Sequence, residues 1–476
     1  MNVTGQKLYG WEDCLSLDID TVQDLYRNYV NPGQVDLIGS FGFGRILAKS
    51  ASGLRIMTAN GREILDFTGG IGVLNHGHNH PRILQARKKF QEQNRMEVHK
   101  NFLSPYVAAL SHNIAQLLPE DLDISYFCNS GAEAVEGAVK LAYKYHGGKR
   151  KHILHADISF HGKLLGSAGL TGSSELTFDF PTIPGIGSFT YGSIDSVKDA
   201  IDNYRSASGK SDIYAIILEP FNATTLRGCT TDFLRELRDI CTENNIVLIF
   251  DEVYSCWAKT GELFHFMGHQ VVPDIVTMAK SMGGGKASIS GYTTRKPFFL
   301  KAYGSLHHSI IHSTTYNGFG EETITAIEAI NITVEDDYVG RSKRIFNQLN
   351  GGLQKLQEKY PEFISEVRGS GALNGIILND SLIPGLRKAL SFVPIELFND
   401  DRFLAKLLTA AVISELYNEH SILTFYGVNR EIPLILSPAL IAEEKDIELL
   451  LHALDQTLSI GRLKLMLKFA RFKFNK

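Results

Sequence analysis

The sequence predicts an α/β fold: a large, mostly parallel sheet covered by helices, with a smaller α+β unit beside it. Three observations carry this. Short apolar runs at 124–128, 152–156, 213–218, 247–251, 275–278 and 287–293 alternate with helical stretches between about residues 82 and 325. The run Ile246 to Phe250 is apolar throughout, as strands buried on both faces are. Polar residues stand just past several of their ends, facing the crevice where α/β proteins bind ligands.

A chain of 476 residues is too long for one compact core. The pattern divides it into an N-terminal segment (1–75), a large domain (76–330), a smaller C-terminal domain (331–460) and a basic tail (461–476). The N-terminal segment is expected to join the smaller domain. Its first part has a helical pattern that Asn31-Pro32-Gly33 should stop. Strand, turn and strand follow around Asn60-Gly61, then a Gly/His loop and a helix opening near Pro81. His76, His78 and His80 alternate in that loop. No carboxylate lies at ligand spacing, so they read as turn chemistry and no metal site is expected. Beyond 335, short strands at 363–368, 373–378 and 434–436 mix with helices.

Composition narrows the function. A net charge of −4 gives no basic field, so nucleic acid is not an expected partner. Five scattered cysteines without a C-x-x-C fit a reducing compartment, and the cytoplasm is the expected location. Residues 1–20 lack the basic-then-apolar pattern of a secretory leader, and no apolar run is long enough to span a membrane. The tail GRLKLMLKFARFKFNK is the one shift in composition. Leu463, Met466, Leu467, Ala470 and Phe474 can share a helical face beside six basic residues. Such a helix can meet an anionic membrane surface or an acidic protein. It can equally pack on the chain's own body, because Leu465, Phe469 and Phe472 break the face.

The chemistry concentrates between residues 245 and 289. The apolar run Ile246 to Phe250 ends on Asp251-Glu252, and Lys280 follows before three glycines. An acid at a strand end and a lysine in a glycine-flanked turn are what a pyridoxal phosphate site requires. The lysine forms the Schiff base and the carboxylate keeps the pyridine nitrogen protonated. Upstream, Ser130-Gly131-Ala132 sits at a strand-to-helix turn, where free N–H groups make a phosphate cradle. Phe160-His161 follows another strand and offers a face to stack on a planar ring. Glu219 ends the strand YAIIL, and Thr315 lies in a hydroxyl-rich stretch.

With these residues in order, the chain resembles the class III aminotransferases of pyridoxal phosphate fold type I, the putrescine (diamine) branch most closely. The resemblance runs from LYRNYVNPG and NGREILDFTGGIGVLNHGHNHP through FCNSGAEAVEGAVKLA, FHGKLLG, AIILEP, DEV, TGELF, PDIVTMAKSMGGG and HSTTY. It implies that Lys280 bonds the cofactor, Asp251 partners the pyridine nitrogen and Glu219 stands behind them. Phe160 would stack on one face of the ring with Val253 below the other, and His161 and Tyr254 would also belong to the cofactor site. Ser130, Gly131 and Ala132 would bind the phosphate, and Thr315 would bind the phosphate of the neighbouring subunit. The implied assembly is a homodimer with shared active sites, acting on small amine and carbonyl substrates.

The departures from the family pattern bear on substrate. The family's gate glutamate falls on Thr224, and its carboxylate-gripping arginine falls on Ile435. Losing both removes the ion pair as a unit, which is self-consistent because either charge alone would be unpaired. Tyr254 replaces the usual glutamine, and Ile71 holds a substrate-facing position. The expected substrate therefore has an apolar portion, with Lys163 or Arg227 as the candidate replacement cation. The residues alone leave open a racemase, aminomutase or decarboxylase on the same fold, and a non-catalytic cofactor-binding interaction protein.

Overall fold

The structure is a computed structural model that describes residues 8–172, 180–206, 208–379, 381 and 402–474. Its centre is a seven-stranded sheet. In chain order the strands are β1 (Leu122–Cys128), β2 (His152–Ala156), β3 (Ile186–Phe189), β4 (Ile213–Leu218), β5 (Val247–Asp251), β6 (Ile275–Met278) and β7 (Ser290–Arg295). Their spatial order is β1-β7-β6-β5-β4-β2-β3. Strand β7 runs antiparallel to both neighbours, while the pairs β6–β5, β5–β4, β4–β2 and β2–β3 are parallel.

The apolar runs are explained by burial on both faces. Leu248 and Phe250 pack in one apolar layer, and Val247 and Ile249 in the layer across the sheet. The expected strand at 287–293 lies three residues later, because residues 287–289 form cavity wall before the strand begins. Strand β3 had no clear signal in the sequence: it is four residues long and contains Gly187.

Two four-stranded sheets flank the centre. One joins Ala48–Ser52, Arg55–Thr58 and Glu63–Asp66 to Ile422–Leu423, which pairs parallel to Glu63–Asp66. The other orders Ile364–Ser370, Leu373–Leu378, Leu434–Leu436 and Phe425–Tyr426. Early and late parts of the chain share one core, in which Phe41 and Leu65 pack with Leu416 and Phe469.

Two local readings change. Asn31-Pro32-Gly33 ends one helix, Ile19–Tyr29, but opens another, Pro32–Ser40. Asn31 caps it through its side chain and Pro32 takes the first turn, where a missing N–H costs nothing. The tail is the helix Arg462–Phe474, and its buried side chains are Leu465, Met466, Phe469 and Ala470. The apolar face is thus rotated from the expected one and is used by the core, while Lys468 pairs with Glu415 and Glu419. The side chains of Phe474 and the last basic residues lie outside the described part. Among the described residues, no helix is long and apolar enough to cross a membrane.

Candidate active site

The strand ends β1, β2, β4, β5 and β6 open on one cavity of about 440 Å³. Each contributes through the chain that follows it. After β1 the helix Gly131–Tyr145 begins, with Ser130 as its cap. The Ser130 hydroxyl accepts from the Glu133 N–H at 3.3 Å, and Glu133 accepts from the Asn129 N–H at 2.9 Å. Gly131 and Ala132 occupy the first turn, whose N–H groups have no carbonyl one turn earlier to bond. Both line the cavity with Ser130.

After β5, Asp251 is buried and held by three donors. Its Oδ1 accepts from the Val253 N–H at 3.0 Å and the Thr277 hydroxyl at 2.9 Å, and its Oδ2 from His161 Nδ1 at 2.7 Å. Thr277 reaches it because β5 and β6 pair in register, Asp251 opposite Thr277. His161 Nε2, the other ring nitrogen, is buried and without a protein partner.

Glu219, past β4, accepts on Oε1 from the Phe160 N–H at 2.8 Å and from Asn222 Nδ2 at 2.7 Å. Burial pushes its carboxyl up to about 7. The nearby Asp251 charge adds to this, while His161 and the two donors oppose it. Lys280, past β6, holds a left-handed φ of 51°, a strained setting for a side-chain-bearing residue. Its amine lies 4.4 Å from the Tyr254 ring centroid, and burial pulls its proton affinity down against the pull of Asp251 and Glu219.

Of the residues expected from the sequence, Phe160, Val253, Tyr254 and Thr224 also line this cavity. Four others do not. Ile71 is 56% exposed on the turn two residues before Val73, a lining residue. Lys163 and Thr315 are exposed. Ile435 is buried in an apolar cluster with Phe221, Ala223, Leu226 and Leu373, against which Tyr254 packs. Arg227 is engaged by Glu431 at 2.7 and 3.1 Å. Burial would raise the Glu431 carboxyl, yet Arg368 and Arg227 together bring it down to about 2.

Sequence reasoning missed Thr277, Asn222 and the 287–289 wall. Thr277 could have been found by setting the two apolar runs in parallel register. The others depend on turns and on an antiparallel strand that no local pattern announces.

A half-buried lysine, a multiply bonded carboxylate, a stackable ring and a free helix end around one cavity can hold a phosphorylated pyridine aldehyde and move protons beside it. Residues 42–458 match the family model described as Aminotransferase class-III. Solved structures share the fold at low identity. A transaminase from the marine bacterium Virgibacillus superposes with a TM-score of 0.79 at 21% identity, covering 94% of this chain and 99% of its own. The ornithine aminotransferase of Toxoplasma gondii ME49 gives 0.78 at 20% identity, over 95% and 99%. An (S)-enantioselective omega-transaminase from Thermomicrobium roseum gives 0.77 at 21%, over 95% and 99%.

Proposed function

The chain belongs to the class-III aminotransferase family, and we propose that it moves an amino group between a neutral, partly apolar amine and a carbonyl acceptor. It is a pyridoxal phosphate enzyme, as its family is. The cavity suits that cofactor through the unpaired first-turn N–H groups, the three-donor carboxylate and the half-buried lysine described above. When bound, pyridoxal phosphate supplies the carbonyl that takes up the amino group and an electron-withdrawing ring.

On this reading Lys280 bonds the cofactor and, once displaced by the incoming amine, takes a proton from the donor's amine-bearing carbon and hands it back on the far side of the transferred nitrogen. Burial favours its neutral form, the one able to accept that proton. Asp251, held in place by Val253, Thr277 and His161, partners the ring nitrogen and keeps it protonated. Glu219 holds the Phe160 backbone and so sets the aromatic face. Gly131 and Ala132 take the phosphate at the positive helix end.

Residues 76–330 would then be the cofactor-binding domain and 331–460 with 1–75 the smaller one, a division supported by the pairing of Ile422–Leu423 with Glu63–Asp66. A homodimer with shared sites is supported by Thr315. It is exposed outside its own cavity, on a stretch that also exposes Leu306, Ile310 and Tyr316. Free cysteines, four of them buried, suit a cytoplasmic location. Lys464 and Arg471 stay exposed on the terminal helix, and an anionic partner would meet them there.

The observation that carries the substrate reading is the wall made by Ala223, Thr224 and Tyr254, which is backed by buried Ile435 and holds no cation. Likeness to the putrescine branch agrees with a primary amine donor. The test is a donor screen, following the cofactor's absorbance in single half-reactions. Alkyl amines are expected to convert it faster than glutamate does, and Lys280→Ala should lose both the absorbance of the lysine-bonded cofactor and all turnover. Glutamate matching the best alkyl amine would end the neutral-substrate reading.

A further inference from the structure

Thr224 faces the cavity, but its hydroxyl is already engaged. It donates to Asn222 Oδ1 at 2.9 Å and accepts from Asn429 Nδ2 at 3.0 Å. A hydroxyl has one proton to give, so Thr224 has none for a ligand. Both partners are held in turn. Asn222 is fully buried; its Oδ1 also takes the Thr225 N–H at 2.9 Å and hydroxyl at 2.7 Å, and its Nδ2 reaches Glu219. Asn429, 1% exposed, accepts the Arg430 N–H on Oδ1 at 2.9 Å and Arg402 Nη1 on its carbonyl at 2.7 Å.

A hydrogen-bonded chain therefore runs from Glu219 through the uncharged side chains of Asn222 and Thr224 to Asn429, on the loop before Leu434–Leu436. That loop presses close. A side chain at Gly427 would place its first carbon 2.0 Å from the Thr224 carbonyl oxygen, so only glycine permits the approach. The arginines on this side are engaged elsewhere: Arg368 with Glu431, Glu366 and the Thr225 carbonyl, Arg227 with Glu431, Arg430 with Asp157 and Arg402 with the Asn429 carbonyl.

We infer that Asn429 determines specificity as a positioning residue: Asn222 holds the Thr224 proton and Asn429 occupies the Thr224 oxygen, so Thr224 offers a ligand neither donor nor free acceptor, and the wall selects amines and aldehydes whose far end is an uncharged alkyl group over those bearing a hydroxyl or carboxylate there. A polar end would lose its water and find neither a free donor nor a free acceptor on Thr224 in exchange, while an alkyl end loses nothing. The inference rests on the neutral-substrate reading above and narrows it.

The test compares kcat/KM for an alkyl amine and a hydroxyalkyl amine of equal length in the cofactor-loaded enzyme. Asn429→Leu removes the donor to Thr224 and leaves the Thr224 oxygen free to accept from a substrate hydroxyl, while its proton stays on Asn222. The alkyl preference is expected to fall about tenfold, the size of one neutral hydrogen bond, with kcat for the alkyl amine nearly unchanged. Adding Thr224→Val removes the freed oxygen and should restore the preference, which a purely structural role for Asn429 would not allow. If Asn429→Leu does not fold, Asn429→Ala carries the same expectation. An unmoved preference in Asn429→Leu, or one not regained in the double variant, overturns the role of Asn429 alone. A wild-type enzyme that works best with glutamate overturns the neutral-substrate reading beneath it.

Discussion

Glu219 is a carboxyl that the fold holds near neutrality. Its ordinary value is 4.5, and burial lifts it to about 7. Between those values the folded protein keeps a proton that the unfolded chain gives up, so stability falls as pH rises through that window. The loss amounts to about 3 kcal/mol for a shift of this size. Glu219→Gln keeps the oxygen that Phe160 and Asn222 bond and cannot ionise. Thermal melts from about pH 5 to about pH 8 should decline less in this variant than in wild type, and any limb near neutrality in the activity profile should flatten. At this scale the sequence was legible where residue type and strand end coincide, as for Asp251, Lys280 and Glu219. It was illegible where the partner is a turn residue from elsewhere in the chain. Asn222 and Asn429 are ordinary asparagines until the loop at Gly427 brings them to the same threonine.

Among the elements, the helix Gly131–Tyr145 decides how close the cofactor's phosphate can come. A side chain on Gly131 would put its first carbon 2.8 and 3.1 Å from the two Val253 methyls and 3.5 Å from Ala279 Cβ. In an isolated helix Gly→Ala would gain about 1 kcal/mol, whereas overpacking a stiff valine costs about 1–3 kcal/mol. Gly131→Ala is therefore expected to lower the melting temperature and weaken cofactor retention. Titration of the apoenzyme with pyridoxal phosphate reads the second effect, and a higher melting temperature with full retention would contradict it. The alternation of apolar runs and helices made the sheet readable, because burial on both faces leaves that pattern. Neither the inverted direction of β7 nor the four-residue β3 leaves such a trace. Direction and edge position are set by pairing, not by composition.

Over the whole molecule, the proposed exchange of Thr315 between subunits can be read by complementation. Lys280→Ala and Thr315→Ala homodimers should both be crippled. Co-expressed, half of the sites in mixed dimers combine both defects and the other half have neither. Activity should therefore reappear at about a quarter to half of the wild-type value, the range set by how evenly the chains mix. No recovery would place Thr315 with its own subunit's site. The basic tail shows why sequence reading falters at this scale. A helix with apolar residues on more than one side can be docked or free, and only the core that receives Leu465 and Phe469 decides.

The reversed strand β7 also constrains the order in which the molecule can be made. Strand β1, which leads into the proposed phosphate turn, pairs among the described residues only with β7, Tyr126 opposite Tyr292. During synthesis β1 must therefore wait, edge unsatisfied, until the chain past Arg295 has left the ribosome. The other strands of the sheet can pair in parallel before then, so the cofactor pocket is completed by the last strand to arrive. A chain stalled before residue 290 would hold its future lysine and carboxylate in place with no phosphate end to meet them.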